Sequence, residues 1–114
     1  MRSRTHVRVS VDTKTGQFAD AGYLSDWTET PCHPDTKVGF TGNVVPAFKA
    51  CTEIVLKLHG RFPFAQSIGW DTIVDRNNSL KVMEWNGDHN DIKFSEATQG
   101  PCFADLGWET LWRA

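Results

Sequence analysis

Gln66-Ser67-Ile68-Gly69-Trp70-Asp71-Thr72-Ile73-Val74 and Leu80-Lys81-Val82-Met83-Glu84-Trp85-Asn86 are two apolar-rich runs joined by the polar stretch Asp75-Arg76-Asn77-Asn78-Ser79. Runs of this length, bounded by turn-forming residues, read as the two strands of a hairpin. A turn centred between Asn77 and Asn78 sets Asp75 opposite Leu80, Ile73 opposite Val82 and Asp71 opposite Glu84. A loop of two or four residues gives the same pairing. Asn86 is two residues beyond Glu84, and strand side chains alternate, so it shares the face of Glu84.

Side chains directly opposed in an antiparallel pair have Cβ atoms about 4.5–5.5 Å apart. Two carboxylates at that separation repel, and one is driven toward protonation unless a positive charge lies between them. A divalent cation removes the conflict. Mg²⁺ prefers oxygen ligands, commonly one or two carboxylates, and completes its shell with water and substrate phosphates. An Asn amide oxygen suits the third position. The plainer alternative is that Asp71 and Glu84 simply face water.

Away from the hairpin, His6 to Asp12 alternates, with Val7, Val9 and Val11 on one side and His6, Arg8 and Ser10 on the other, as in a half-buried strand. Thr13-Lys14-Thr15-Gly16 reads as a turn, and Gln17 to Tyr23 as the return strand. Ser25 to Phe40 holds Pro31, Pro34 and small polar residues, and reads as a long, mostly irregular loop. Asn43 reads as an N-cap with Pro46 in the first turn. Val44, Phe48, Cys51, Val55 and Leu58 recur at helical spacing, so Val44 to Leu58 is expected as an amphipathic helix ended by Gly60 and Pro63. A polar loop from Gly87 to Asp91, a segment from Ile92 to Ala97, and a helix opened by Pro101 and running from Cys102 to about Trp112 complete the chain.

A chain of 114 residues fits one domain. It is 39% hydrophobic and 23% charged with a formal net charge of −2, and its basic residues are scattered, so a nucleic-acid module is not expected. No apolar run reaches the roughly 18 residues of a membrane span, and a soluble cytoplasmic protein is the expectation. Cys32, Cys51 and Cys102 form no C-x-x-C pair and read as free thiols rather than zinc ligands. Five Trp and seven Phe are many for this length, so either the core is aromatic-rich or part of that surface belongs against something else.

Ile68-Gly69-Trp70-Asp71 followed by Met83-Glu84-Trp85-Asn86 resembles the ATP-grasp superfamily, in which an Asp on one strand and an E-x-N on the next bind the metal ions bridging ATP phosphates. The thirteen-residue step from Asp71 to Glu84 is similar to that superfamily's spacing. His33-Pro34-Asp35-Thr36, Gly42 to Pro46, Ile68 to Asp71 and Gln99-Gly100-Pro101 together resemble, more narrowly, the sugar-transfer-associated ATP-grasp group. That group has a His-Pro pair, a Val-Pro helix start, Gly-Trp-Asp and then Glu-x-Asn in the same order. E-x-N alone is a weak signal, and the ordered set of four is a stronger one.

The resemblance runs from Val7 to about Pro101 and implies an α+β fold, the C-terminal subdomain of an ATP-grasp fold, with an antiparallel sheet and packed helices. Lys14, Lys37, Lys49 and Lys57 match none of the upstream lysines that hold the α- and β-phosphates in that family. Residues 1–114 are therefore expected as one partial ATP-grasp domain, its metal- and phosphate-binding part. The resemblance further implies ATP and Mg²⁺ (or Mn²⁺) as cofactors, with Asp71, Glu84 and Asn86 on the metal. It also implies a relation to ATP-dependent carboxylate–amine ligation through an acyl phosphate. The loop Gly87-Asp88-His89-Asn90 follows the ligands directly, so His89 could approach the transferred phosphate; a flexible polar turn is the alternative.

Among other polar residues, His33 reads as a loop anchor and His59 as a partner of its helix's negative end. Asp75 reads as turn chemistry, and Lys93 with Glu96 as a surface pair. Trp108 and Trp112, one helical turn apart, are either core or a surface for a partner chain or a second copy. Whether the chain is an active ligase is left open by the sequence, a non-catalytic interaction domain or an inactive fragment being the competing expectation.

Overall fold

The computed structural model describes residues 6–87 and 92–113. Two antiparallel sheets and two short α-helices make an α+β fold. In the first sheet β1 (Arg8–Val11), β2 (Phe18–Tyr23) and β3 (Glu29–Thr30) lie in the order β1-β2-β3. Asp12 makes the first turn: its Oδ1 accepts from the Lys14 and Thr15 amides, both at 2.8 Å, and Gly16 closes it at φ +76°. Because Thr30 and Glu29 pair with Gly22 and Tyr23, the stretch expected as mostly irregular contributes a short strand.

Both faces of this sheet are covered. On one, Phe40 is the single buried large hydrophobic among the described residues. It lies over Gly22, where an added Cβ would come within 2.8 Å of its ring and of Val7. On the other, helix α2 (Lys93–Gln99) packs on β1, with the Ser10 hydroxyl against that of Thr98 and Gln99 Nε2 donating to the Val11 carbonyl at 3.1 Å. Ser10, placed by alternation on the polar side, is thereby buried. Tyr23, Trp27 and Phe94 form an aromatic group on the α2 side, with centroids 5.9–6.1 Å apart.

Helix α1 spans Phe48–His59, starting four residues later than expected. Asn43 is not its cap; its Nδ2 donates to the Gly39 carbonyl. The cause lies in Pro46, which disfavours helical geometry at Val45. The chain there stays extended, with Val44 bridged to Gln17 and Val45 N–H donating to the Gly16 carbonyl at 2.9 Å. Ala47 then turns at φ +52° to begin the helix.

The second sheet is the hairpin of β4 (Gly69–Val74) and β5 (Leu80–Asn86). Beyond α2 the expected helix from Cys102 to Trp112 is replaced by turns and a 3₁₀ helix, Trp108–Arg113. Positive φ at Asp105 and Gly107 interrupts any α-helical run. In a 3₁₀ helix, with three residues per turn, Trp108 and Trp112 do not share a face. Trp108 stacks on Phe103 at 4.9 Å, while Trp112 stands exposed beneath the Arg113 guanidinium. Among the described residues no helix is long and apolar enough to cross a membrane.

Candidate metal centre

The site is built from the hairpin outward. Its turn is closed by Asp75 N–H donating to the Ser79 carbonyl at 2.9 Å, and Asp75 Oδ1 accepts from the Asn77 and Ser79 amides at 2.8 and 2.9 Å. Asn78 takes the left-handed conformation at φ +58°, a geometry Asn tolerates. The loop is therefore Arg76-Asn77-Asn78, odd in number, where two or four residues were expected. Next to the turn the pairing accordingly differs from expectation: Val74 faces Leu80, Ile73 faces Lys81 and Thr72 faces Val82.

One residue further the ladder slips. Asp71 pairs with Glu84, Trp70 with Trp85 and Gly69 with Asn86, with the irregularity between Asp71 and Thr72. Two residues of β5, Met83 and Glu84, thus answer to one step on β4, the defining count of a β-bulge. An odd loop and an odd bulge cancel. Asp71 and Glu84 meet across the strands as the sequence argument expects, but through Met83, which that argument did not use. A connection of five residues, being odd, was the available signal.

Facing residues share a side of the sheet, so Asp71 and Glu84 present their carboxylates together and Asn86 follows two positions on. Asp71 and Glu84 are exposed and Asn86 is half-buried. The opposite side carries the packing. Trp70 and Trp85 stack at 6.4 Å, and Phe62, from the segment after α1, stacks on Trp85 at 5.0 Å. His59 ties that segment back to the helix end, its Nε2 lying 2.8 Å from the Ala65 carbonyl. One face of the hairpin is thus held by aromatic rings, and the acidic face is left toward solvent.

The donor set suits a hard divalent cation. It offers two carboxylates and one amide, all oxygen, on an open surface with room for water and phosphate oxygens, which is how Mg²⁺ is commonly held. Among the described residues no group of three or more His, Cys, Asp and Glu is placed for a metal. His89 lies outside the described residues. His33 is an anchor, its Nδ1 accepting from the Asp35 and Thr36 amides at 3.2 and 3.3 Å. Cys32, Cys51 and Cys102 are free thiols.

The profile of the sugar-transfer associated ATP-grasp family matches residues 4–105. Comparison with curated proteins and with solved structures gives no match. The match takes in the hairpin, both helices and the three-stranded sheet, and the chain belongs to the sugar-transfer associated ATP-grasp family.

Proposed function

We propose that Asp71, Glu84 and Asn86 hold Mg²⁺ or Mn²⁺ against the phosphates of ATP, in a cytoplasmic protein related to ATP-dependent carboxylate–amine ligation in sugar-transfer or polysaccharide pathways. The observation that carries this reading is the bulged register that brings the two carboxylates opposite each other within a chain of this family. A bound divalent cation supplies charge neutralisation on phosphates during in-line phosphoryl transfer. The chain's own part is positional. Asp71 and Glu84 provide two anionic oxygens at a fixed cross-strand separation, and Asn86 provides a neutral one beside them. The aromatic clamp of Phe62, Trp70 and Trp85 keeps both strands from turning over. His89, next to the ligands in sequence, is proposed as a contact for a terminal phosphate or the acceptor.

Isothermal titration of the chain with Mg·ATP tests this. Weak, Mg²⁺-dependent heats are expected, and they should vanish in the Asp71→Asn, Glu84→Gln double variant. Identical heats from wild type and double variant would discard the reading.

A second reading, that the chain works as an interaction domain without turnover, is favoured by its exposed apolar surface. Its accessible surface is 9329 Å², against roughly 6,300 Å² for a compact monomer of this mass. Leu56, Phe64 and Trp112 are each at least two thirds exposed. Such surface is worth burying against a partner chain or a second copy. Sedimentation at high concentration decides it: a clean monomer would count against it.

A further inference from the structure

Away from the acidic face, a cavity of about 330 Å³ lies between the first sheet and the loop that leads to α1. That volume is at the lower end of small-molecule sites, roughly 300–1,000 Å³. Its walls are Val9, Phe18, Val38, Phe40 and Val44, and it shares no residue with Asp71, Glu84 and Asn86. Val38 and Val44 are more than half exposed, while Phe40 is the most deeply buried ring among the described residues. This is an apolar recess open at one side.

The polar groups lining it are His33, Thr36 and Asn43, with no charged side chain among them. Their remaining hydrogen-bonding capacity can be counted. His33 Nδ1 accepts two backbone N–H groups, so the ring proton of the neutral imidazole sits on Nε2. No partner for Nε2 is found among the described residues, and its ring plane is fixed by the two bonds on the other edge. Thr36 Oγ1 accepts from the Val38 amide, leaving its hydroxyl proton free to donate. Asn43 Nδ2 spends one N–H on the Gly39 carbonyl and keeps a second. Beside these donors the Asn43 Oδ1 stands as an acceptor with no partner among the described residues, and all of these groups are uncharged.

We propose that this cavity binds a small molecule with a compact apolar body and an uncharged carbonyl oxygen, such as an amide or ester, accepted by the His33 Nε2–H. An apolar body fits the walls, and an oxygen acceptor answers the unspent donors. A carboxylate would find donors but no countercharge, and an ammonium group would find acceptors at Asn43 Oδ1 and Thr36 Oγ1 but again no countercharge.

Hexanamide, hexanoate and hexylammonium, titrated into the ¹⁵N-labelled chain and followed by amide chemical shifts, separate these cases. Hexanamide is expected to give saturable shifts at Val9, Phe18, Gly39 and Phe40, with hexanoate and hexylammonium both weaker. His33→Asn keeps an acceptor for the Asp35 and Thr36 amides, the pattern Asp12 already makes with its own turn, but lacks Nε2; its affinity for hexanamide should fall about tenfold. Val44→Trp, which fills the recess from its exposed rim, should abolish the shifts while leaving the backbone bridge to Gln17. The proposal is overturned if hexanamide shifts nothing, if hexanoate or hexylammonium binds as tightly, or if either variant titrates like wild type.

Discussion

Asp71 faces Glu84 across the hairpin because Met83 is set out of the ladder between them. Without that slip the three-residue loop would carry Asp71 opposite Met83 and turn Glu84 to the aromatic side. The acidic pair and the Trp70–Trp85 stack therefore depend on the same one-residue slip in the ladder, one on each face of the sheet.

Deleting Met83 should convert the ladder into a regular antiparallel pair. Thr72 already faces Val82, so Glu84 would then follow Val82 directly and still meet Asp71. Cross-strand nuclear Overhauser contacts between residues 71 and 84 are expected to persist in the deletion variant. Contacts from Asp71 to Trp85 instead would contradict the bulge assignment.

The opposed carboxylates should cost stability when no cation is bound. Like charges directly opposite on a sheet are destabilising, by about 0.5 kcal/mol for a typical cross-strand pair. Glu84→Gln is therefore expected to raise the urea midpoint slightly in EDTA and to lose that advantage in excess Mg²⁺. Thermal or urea unfolding in both conditions checks this, and a gain of equal size in both would show that no cation reaches the pair.

Gly22 and Gly42 should respond to alanine for different reasons. A Cβ at Gly22 would come within 2.8–2.9 Å of Phe40, Val7 and Val9, which overpacks the small core by about 1–3 kcal/mol. Gly42 has open space around it but sits at φ +76°, so alanine there costs about 1–2 kcal/mol of backbone strain alone. Urea unfolding should show both losses. A compensating reduction at Phe40 should relieve part of the Gly22→Ala loss and none of the Gly42→Ala loss.

Acid should weaken the first turn. Hydrogen bonds from the Thr15 and Lys14 amides hold the Asp12 carboxyl below its ordinary value, and the Thr28 amide does the same for Asp26. A depressed carboxyl contributes stability that is present above its unfolded value and lost as pH falls through the lower folded value. Both groups are solvent-exposed, so the effect is small. Asp12→Asn should flatten the acid limb of the stability curve while leaving neutral-pH stability nearly unchanged, as followed by circular dichroism.

Much of this was readable from the residues, for identifiable reasons. The Asp71 and Glu84 runs are long, apolar and bounded by turn residues, so strand type and the hairpin itself follow from local signals, while the partners next to the turn do not. The bulge is different: nothing at Met83 marks it, and it is required only by the parity of a loop whose closure depends on Asp75 and Asn78. The start of α1 was misplaced because the apolar period from Val44 to Leu58 competes with the restriction that Pro46 places on Val45, and the restriction wins. The last helix failed at Asp105 and Gly107, where left-handed backbone outweighs an otherwise acceptable run. Ser10 was misassigned because alternation reports one covered face, and α2 covers the second.

The most direct test of the central claim is paramagnetic broadening by Mn²⁺ in the ¹⁵N spectrum of the full chain. Substoichiometric Mn²⁺ is expected to broaden selectively the amides of Asp71, Glu84 and Asn86, excess Mg²⁺ to restore them, and Asp71→Asn, Glu84→Gln to remove the effect. Uniform broadening, or broadening centred elsewhere and unaffected by the double substitution, would contradict it.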